Sequence, residues 1–196
     1  MAKRYGALKT EKDWIQQARQ GSAEAWEQIV REHQQPVFRL VYLLLGDADE
    51  AEDVTQDTFI RAYRALGSFD MERPLRPWLL RIATNLTHNW RRSTGRYFLA
   101  LQRLLRSEPP QRLLIEHAES KLEEKTLWDA LRLLPDADRQ IIYLRYFLES
   151  SESETAEVLG IPAGTVKSRL HRALGRLRVL FQKEFQEGLQ EGVDGG

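Results

Sequence analysis

The chain has 196 residues, room for one domain or two small ones. Its 29 Lys+Arg match 29 Asp+Glu, and its 42% hydrophobic content is that of an ordinary soluble globular protein. Cysteine is absent, which excludes disulfide staples, thiolate zinc sites, iron–sulfur ligation and a Cys nucleophile, and fits a reducing cytosol.

The first six residues are basic but carry none of the apolar h-region of a secretory signal. Ser22 opens a helix with Ala25, Trp26, Ile29 and Val30 on one side. Pro36 is expected to restart the chain into an apolar stretch over 37–45, interrupted by Arg39 and ended by Gly46. That stretch falls short of the ~18–20 residues of a membrane span, so no membrane insertion is expected. Asp47 and Asp49 are N-cap candidates for a helix reaching about Leu66. It carries Ala51, Val54, Thr58 and Ala62 on one face, with Asp49, Asp53 and Asp57 at i, i+4, i+8 on another.

Gly67, Pro74 and Pro77 mark residues 68–77 as a loop. Trp78 then begins a helix whose Trp78, Ile82 and Leu86 make the expected core stripe. The stretch 97–119 reads as a connector, broken at Pro109–Pro110; its leucine-rich flanks predict a contact surface. Further helices are expected near 122–134, 136–147, 152–159 and 162–185, with Ser151 and Glu154 forming a capping-box pattern. The last residues, with four glycines in 188–196, should fray. The expected fold is all-α: two small helical domains over 1–96 and 122–187, a linker over 97–121 and a flexible tail over 188–196.

The zero net charge hides strong segregation. Residues 47–57 hold six acids (Asp47, Asp49, Glu50, Glu52, Asp53, Asp57) and no base. Residues 73–96 hold six arginines (Arg73, Arg76, Arg81, Arg91, Arg92, Arg96) and no acid. Residues 161–183 hold six more bases (Lys167, Arg169, Arg172, Arg176, Arg178, Lys183) and again no acid. Ordinary surfaces intersperse the two signs. Two basic stretches therefore point to two polyanion sites, and the acidic one to a basic partner.

Residues 151–178 give the sharpest local signal. A short helix meets the tight turn Gly160-Ile161-Pro162, and a longer helix follows with Val166, Leu170, Ala173, Leu174, Leu177 and Leu180 as its apolar stripe. Arg169, Arg172 and Arg176 lie on a different face, with Thr165, Lys167 and Ser168 in the first turns. This is the layout of a helix-turn-helix whose second helix enters the DNA major groove.

Residues 134–173, from Leu134-Pro135 through Ala156-Glu157-Val158-Leu159-Gly160-Ile161-Pro162 to Arg172-Ala173, resemble region 4 of extracytoplasmic-function (ECF) sigma factors of the sigma-70 family. Asp53-Val54-Thr55-Gln56-Asp57-Thr58-Phe59-Ile60-Arg61-Ala62-Tyr63-Arg64 resembles their region 2.2. Pro77-Trp78-Leu79-Leu80-Arg81-Ile82-Ala83-Thr84-Asn85 resembles regions 2.3 and 2.4, and the likeness extends over about residues 10–185. It implies a cytoplasmic, non-enzymatic transcription initiation factor that uses no cofactor or metal. The implied partners are core RNA polymerase (β′ coiled coil and β flap), promoter DNA and an anti-sigma factor.

The resemblance also implies roles. Asp49, Asp53, Gln56 and Asp57 would dock on the polymerase. Arg61, Phe69, Arg81, Asn85, Asn89, Arg91 and Arg92 would hold the melted −10 strand, with Phe69 in the 68–75 loop as an aromatic candidate divided between lining a base pocket and packing. Thr165, Lys167, Ser168, Arg169, His171, Arg172 and Arg176 would read the −35 duplex. Thr155 departs from the family, which carries an apolar residue such as Ile there. The 70–74 wording and Pro77 before Trp78 depart too, so no −10 base preference is carried over. A helix-turn-helix regulator acting without polymerase is the alternative. An enzyme is disfavoured, because His33, His88, His117 and His171 are scattered and no HExxH, P-loop or G-x-G-x-x-G occurs.

Overall fold

A computed structural model describes residues 10–101 and 121–194. Every regular element among them is helical. The first bundle comprises α1 (Glu11–Arg19), α2 (Ala23–Leu45), α3 (Ala48–Ala65), a 3-10 turn (Leu66–Ser68) and α4 (Leu75–Leu101). The second comprises α5 (Lys121–Leu133), α6 (Asp136–Ile142), a π-helical turn (Tyr143–Phe147), α7 (Glu152–Leu159) and α8 (Ala163–Asp194).

Local chemistry accounts for most of the boundaries. The Asp47 carboxylate accepts from the Glu50 N–H to start α3. Thr10–Asp13 and Ser151–Glu154 form reciprocal capping boxes on α1 and α7. Gly46 closes α2 at φ 82°, where a side chain would be strained. Ala25, Ile29, Val37, Leu40, Val41 and Leu44 of α2 are buried, as are Ala51, Val54, Phe59 and Ala62 of α3. Leu75, Leu79, Leu80 and Ala83 of α4 complete that core, each side chain of Leu size contributing about 1.5–3 kcal/mol by leaving water.

Several expectations need correction. Pro36 does not restart the chain but sits inside a continuous α2. His33, Val37, Leu40 and Val41 are buried around it, so packing outweighs the lost hydrogen bond. Helix α4 begins at Leu75, not Trp78, because Pro77 falls in the first turn, where no intrahelical acceptor awaits its missing N–H. Its deep core is therefore Leu75, Leu79, Leu80 and Ala83 with Leu86 beside them, while Trp78 and Ile82 are only half-buried. Helix α8 runs to Asp194, past the expected end at Phe185 and into the stretch expected to fray. Of the expected linker, residues 97–101 continue α4 and Lys121 opens α5; residues 102–120 lie outside those described, as do 195–196.

Candidate nucleic-acid and protein interfaces

Asp49, Asp53, Gln56 and Asp57 are all exposed on α3, because Ala51, Val54, Thr55 and Thr58 take the inward positions of the same helix. Beside Gln56 lies an open groove between α2 and α3 of about 660 Å³, lined by Val30, Phe38, Phe59 and Ile60 among others. Ile60 and Tyr63 remain about half exposed at 48% and 47%, and Tyr63 packs on Trp26 with ring centroids 5.1 Å apart. Sequence reasoning missed this groove. Its signal was present: Ile60 and Tyr63 are more apolar surface than α3 needs for its own core.

Arg81, Asn85 and Asn89 are exposed on α4 at i, i+4, i+8, so they share one face. Arg61 is exposed on α3, and the backbone of Arg92 lies in α4. Phe69, divided between pocket lining and packing, is 6% exposed and packs on Trp78 at 4.8 Å between centroids.

The helix-turn-helix forms as α7, the turn and α8. Gly160 adopts φ 63°, and the Ile161 N–H reaches back to the Ala156 carbonyl, closing α7 tightly. Val166 and Ala173 are fully buried while Leu170, Leu174 and Leu177 are half-buried. Lys167, Ser168, His171 and Arg172 are exposed, with Thr165 and Arg169 half-buried. Arg176 also makes a contact within the chain: its Nε donates to Asp138 of α6, a carboxylate only 6% exposed, and this bond raises the guanidinium pKa. Arg176 thus braces α6 against α8.

The two bundles meet through the basic face of α4. Arg73 pairs with Glu157 of α7 at 2.6 Å. Arg76 donates to the Leu148 carbonyl at 2.5 Å and lies 3.8 Å from Glu154. His88 Nε2 is 2.7 Å from the Gln140 amide. Arg91 pairs with Asp136 at 2.7 Å, and Arg139 holds the same carboxylate. Burial works against the Asp136 charge, but Arg91 and Arg139 outweigh it and hold the pKa below the usual 3.8. Carboxylates of the second bundle thus occupy part of the surface assigned to nucleic acid.

Among the described residues no group of three or more His, Cys, Asp or Glu is placed to hold a metal, and no helix is long and apolar enough to cross a membrane. The family model for Sigma-70 region 2 matches residues 29–97, and that for Sigma-70, region 4 matches 124–177. The chain is 38% identical over 173 residues to the ECF RNA polymerase sigma factor SigW of Bacillus subtilis, covering 84% of this chain and 92% of that one. It is 31% identical over 190 residues to the RNA polymerase sigma-H factor of Pseudomonas aeruginosa, covering 90% and 94%. Among solved structures it resembles CnrH in complex with the cytosolic domain of CnrY (TM-score 0.66, 28% identity, 88% of this chain and 97% of that one). It also resembles the sigma factor RpoE of Bartonella quintana, solved with the anti-sigma factor NepR (TM-score 0.66, 25% identity, 82% and 98%). An acidic helix beside an apolar groove, a basic helix and a helix-turn-helix thus follow one another in a chain that belongs to the extracytoplasmic-function branch of the sigma-70 family, the transcription initiation factors of bacterial RNA polymerase.

Proposed function

We propose that this chain docks on core RNA polymerase through α3, captures the −10 strand with α4 and the 68–75 loop, and reads the −35 duplex with the start of α8. The observation that carries this reading is the separation of charge onto different elements: exposed carboxylates beside an apolar groove on α3, exposed Arg and Asn on α4, and exposed cations on α8. Asp49, Asp53 and Asp57 complement a basic helix, while Phe38, Phe59 and Ile60 give it an apolar seat. Lys167 and Arg172 meet phosphates or base edges, Arg being able to read guanine with two bonds. Arg81, Asn85 and Asn89 present donors and charge to an unpaired strand; binding that strand offsets an unpairing cost of a few kcal/mol without nucleotide hydrolysis.

The two bundles separate on engagement. Elements centred 25 base pairs apart, as their names state, lie about 85 Å apart at about 3.4 Å per pair. A compact chain of this length has a radius of gyration of about 16 Å, or about 40 Å across. The docked arrangement therefore cannot reach both elements at once. Arg73, Arg76 and Arg91 exchange carboxylates for phosphates as it opens. An anti-sigma factor, the kind of partner named with the solved relative RpoE, would act by blocking that exchange. The protein works in the cytoplasm, is not an enzyme and needs no cofactor. A regulator acting without polymerase would leave the α3 face and its groove without a role.

Co-elution with bacterial core polymerase, then run-off transcription from a genomic fragment library, tests this reading. Stable binding and new transcript starts are expected. Specific duplex binding by the protein alone, with no polymerase binding, would refute it.

A further inference from the structure

Helix α1 lies outside both matched family segments, the first of which begins at residue 29. Its side chains converge on the loop between α3 and α4. Arg19 Nε donates to the Leu66 carbonyl at 2.9 Å, and Arg19 Nη2 donates to the Phe69 carbonyl. One guanidinium thus ties both ends of the 3-10 turn that delivers the chain into the loop. Lys12 pairs with Glu72 at 2.9 Å in the middle of that loop. Glu11 accepts from His33 Nε2 at 3.1 Å and sets its carboxylate beside the Leu75 backbone at the start of α4. Three residues of one short helix therefore contact the beginning, middle and end of residues 66–75.

We propose that α1 is a splint that sets the conformation of the −10-reading loop, with Arg19 as its principal positioning residue. The inference rests on the functional reading above and adds where the loop's order comes from. Within the loop, the Asp70 carboxylate accepts from the Glu72 N–H, and the Arg73 N–H reaches the Asp70 carbonyl. Those bonds close a turn but do not fix it against the bundle. The buried Phe69 anchors one side chain, and its carbonyl points to Arg19. A guanidinium fork is well matched to this geometry, since its donors lie in a fixed plane and can hold two carbonyls at a set separation, which a Lys ammonium cannot. Glu11 adds a negative charge at the N-terminus of α4, where the helix dipole favours it. The Lys12–Glu72 pair is exposed and contributes little by itself. Arg19 and Glu11 thus carry the effect, and neither lies on the exposed acidic face of α3.

The test uses the full chain, free and as holoenzyme with core polymerase. Arg19→Met keeps the stem and removes the donors; Arg19→Lys keeps the charge with a single head group. The readouts are backbone hydrogen exchange over residues 66–75, polymerase affinity, and discrimination between a single-stranded −10 oligonucleotide taken from a mapped start and its base-substituted forms. Arg19→Met should leave polymerase affinity unchanged, speed exchange in the loop and lower discrimination about tenfold, as loss of charge-assisted hydrogen bonds implies. Arg19→Lys should recover part of both losses. Glu11→Ala, which removes the carboxylate beside the start of α4, is the second variant should Arg19→Met melt early. Unchanged discrimination with unchanged loop exchange overturns the proposal, as does a loss shared equally by polymerase binding and discrimination. If wild-type protein binds no polymerase, the functional reading falls, while loop exchange in the variants still decides whether α1 is the splint.

Discussion

Thr155 offers the cleanest test of how the helix-turn-helix is held together. It is fully buried in α7, and its Oγ1 has no hydrogen-bond partner. Thr58, Thr84 and Thr87 are buried too, but each hydroxyl donates to the carbonyl four residues back. Thr155→Val keeps the shape and helix propensity and deletes only the orphan hydroxyl. An unpaired buried hydroxyl costs about 1–3 kcal/mol, so the variant should be more stable by that amount. For a unit of 60–100 residues each kcal/mol shifts the melting temperature by about 4–8 °C, so a rise of at least about 4 °C is expected by circular dichroism. Thr155→Ser is the control: it keeps the hydroxyl, loses a methyl worth about 0.8 kcal/mol and leaves a void, so it should melt below wild type. The order Val above Thr above Ser is the prediction. A Val variant melting at or below wild type would refute the reasoning, since the hydroxyl would then be satisfied.

Asp53→Lys, on an exposed site, should leave the unfolding free energy within about 0.5 kcal/mol of wild type and weaken core polymerase binding about tenfold, measured by competition for core; unchanged competition would move the docking surface elsewhere. Arg169→Ala should cost about 1–3 kcal/mol at one −35 position and relax base preference there, whereas Lys167→Ala should weaken all sequences alike and reduce the salt slope by about one, as read by holoenzyme titration of promoter variants. The chain has no cysteine, so Arg64→Cys and Ser153→Cys give one labelled pair reporting on the two bundles. Glu157→Lys, which sets like charge against Arg73, should lengthen that distance, and salt should lengthen it in wild type; a fixed distance would show that the polar contacts do not hold the bundles together. Asp136 has a depressed folded pKa, so its stabilisation is present above its unfolded value and is lost as pH falls through the folded one. Thermal melts across the acid range should therefore lose stability below about pH 4, and Asp136→Asn should flatten that limb.

The sequence by itself determined the helical architecture, the capped start of α3, and the α7–turn–α8 unit. These depend on local signals: Asp47 and Ser151 as caps, Gly160 as a left-handed stop, and apolar spacing within single helices. It also placed Asp49, Asp53 and Asp57 on one exposed face, since helical periodicity alone does that. Tertiary structure decided what depends on neighbours distant in sequence. Pro36 stays helical because α2 is packed on both sides of it. Phe69 turns inward because Trp78 awaits it, and Arg176 is taken up by Asp138. The α2–α3 groove needs two helices to exist, and the splint of Arg19 on the Leu66 and Phe69 carbonyls joins positions 47 and 50 residues apart. The pairing of Arg73 and Arg76 with the second bundle spans still more chain, and that of Arg91 with Asp136 nearly as much. A run of arginines in sequence states only that charge is available; whether it meets a phosphate or a carboxylate of the same chain is settled by how the bundles pack.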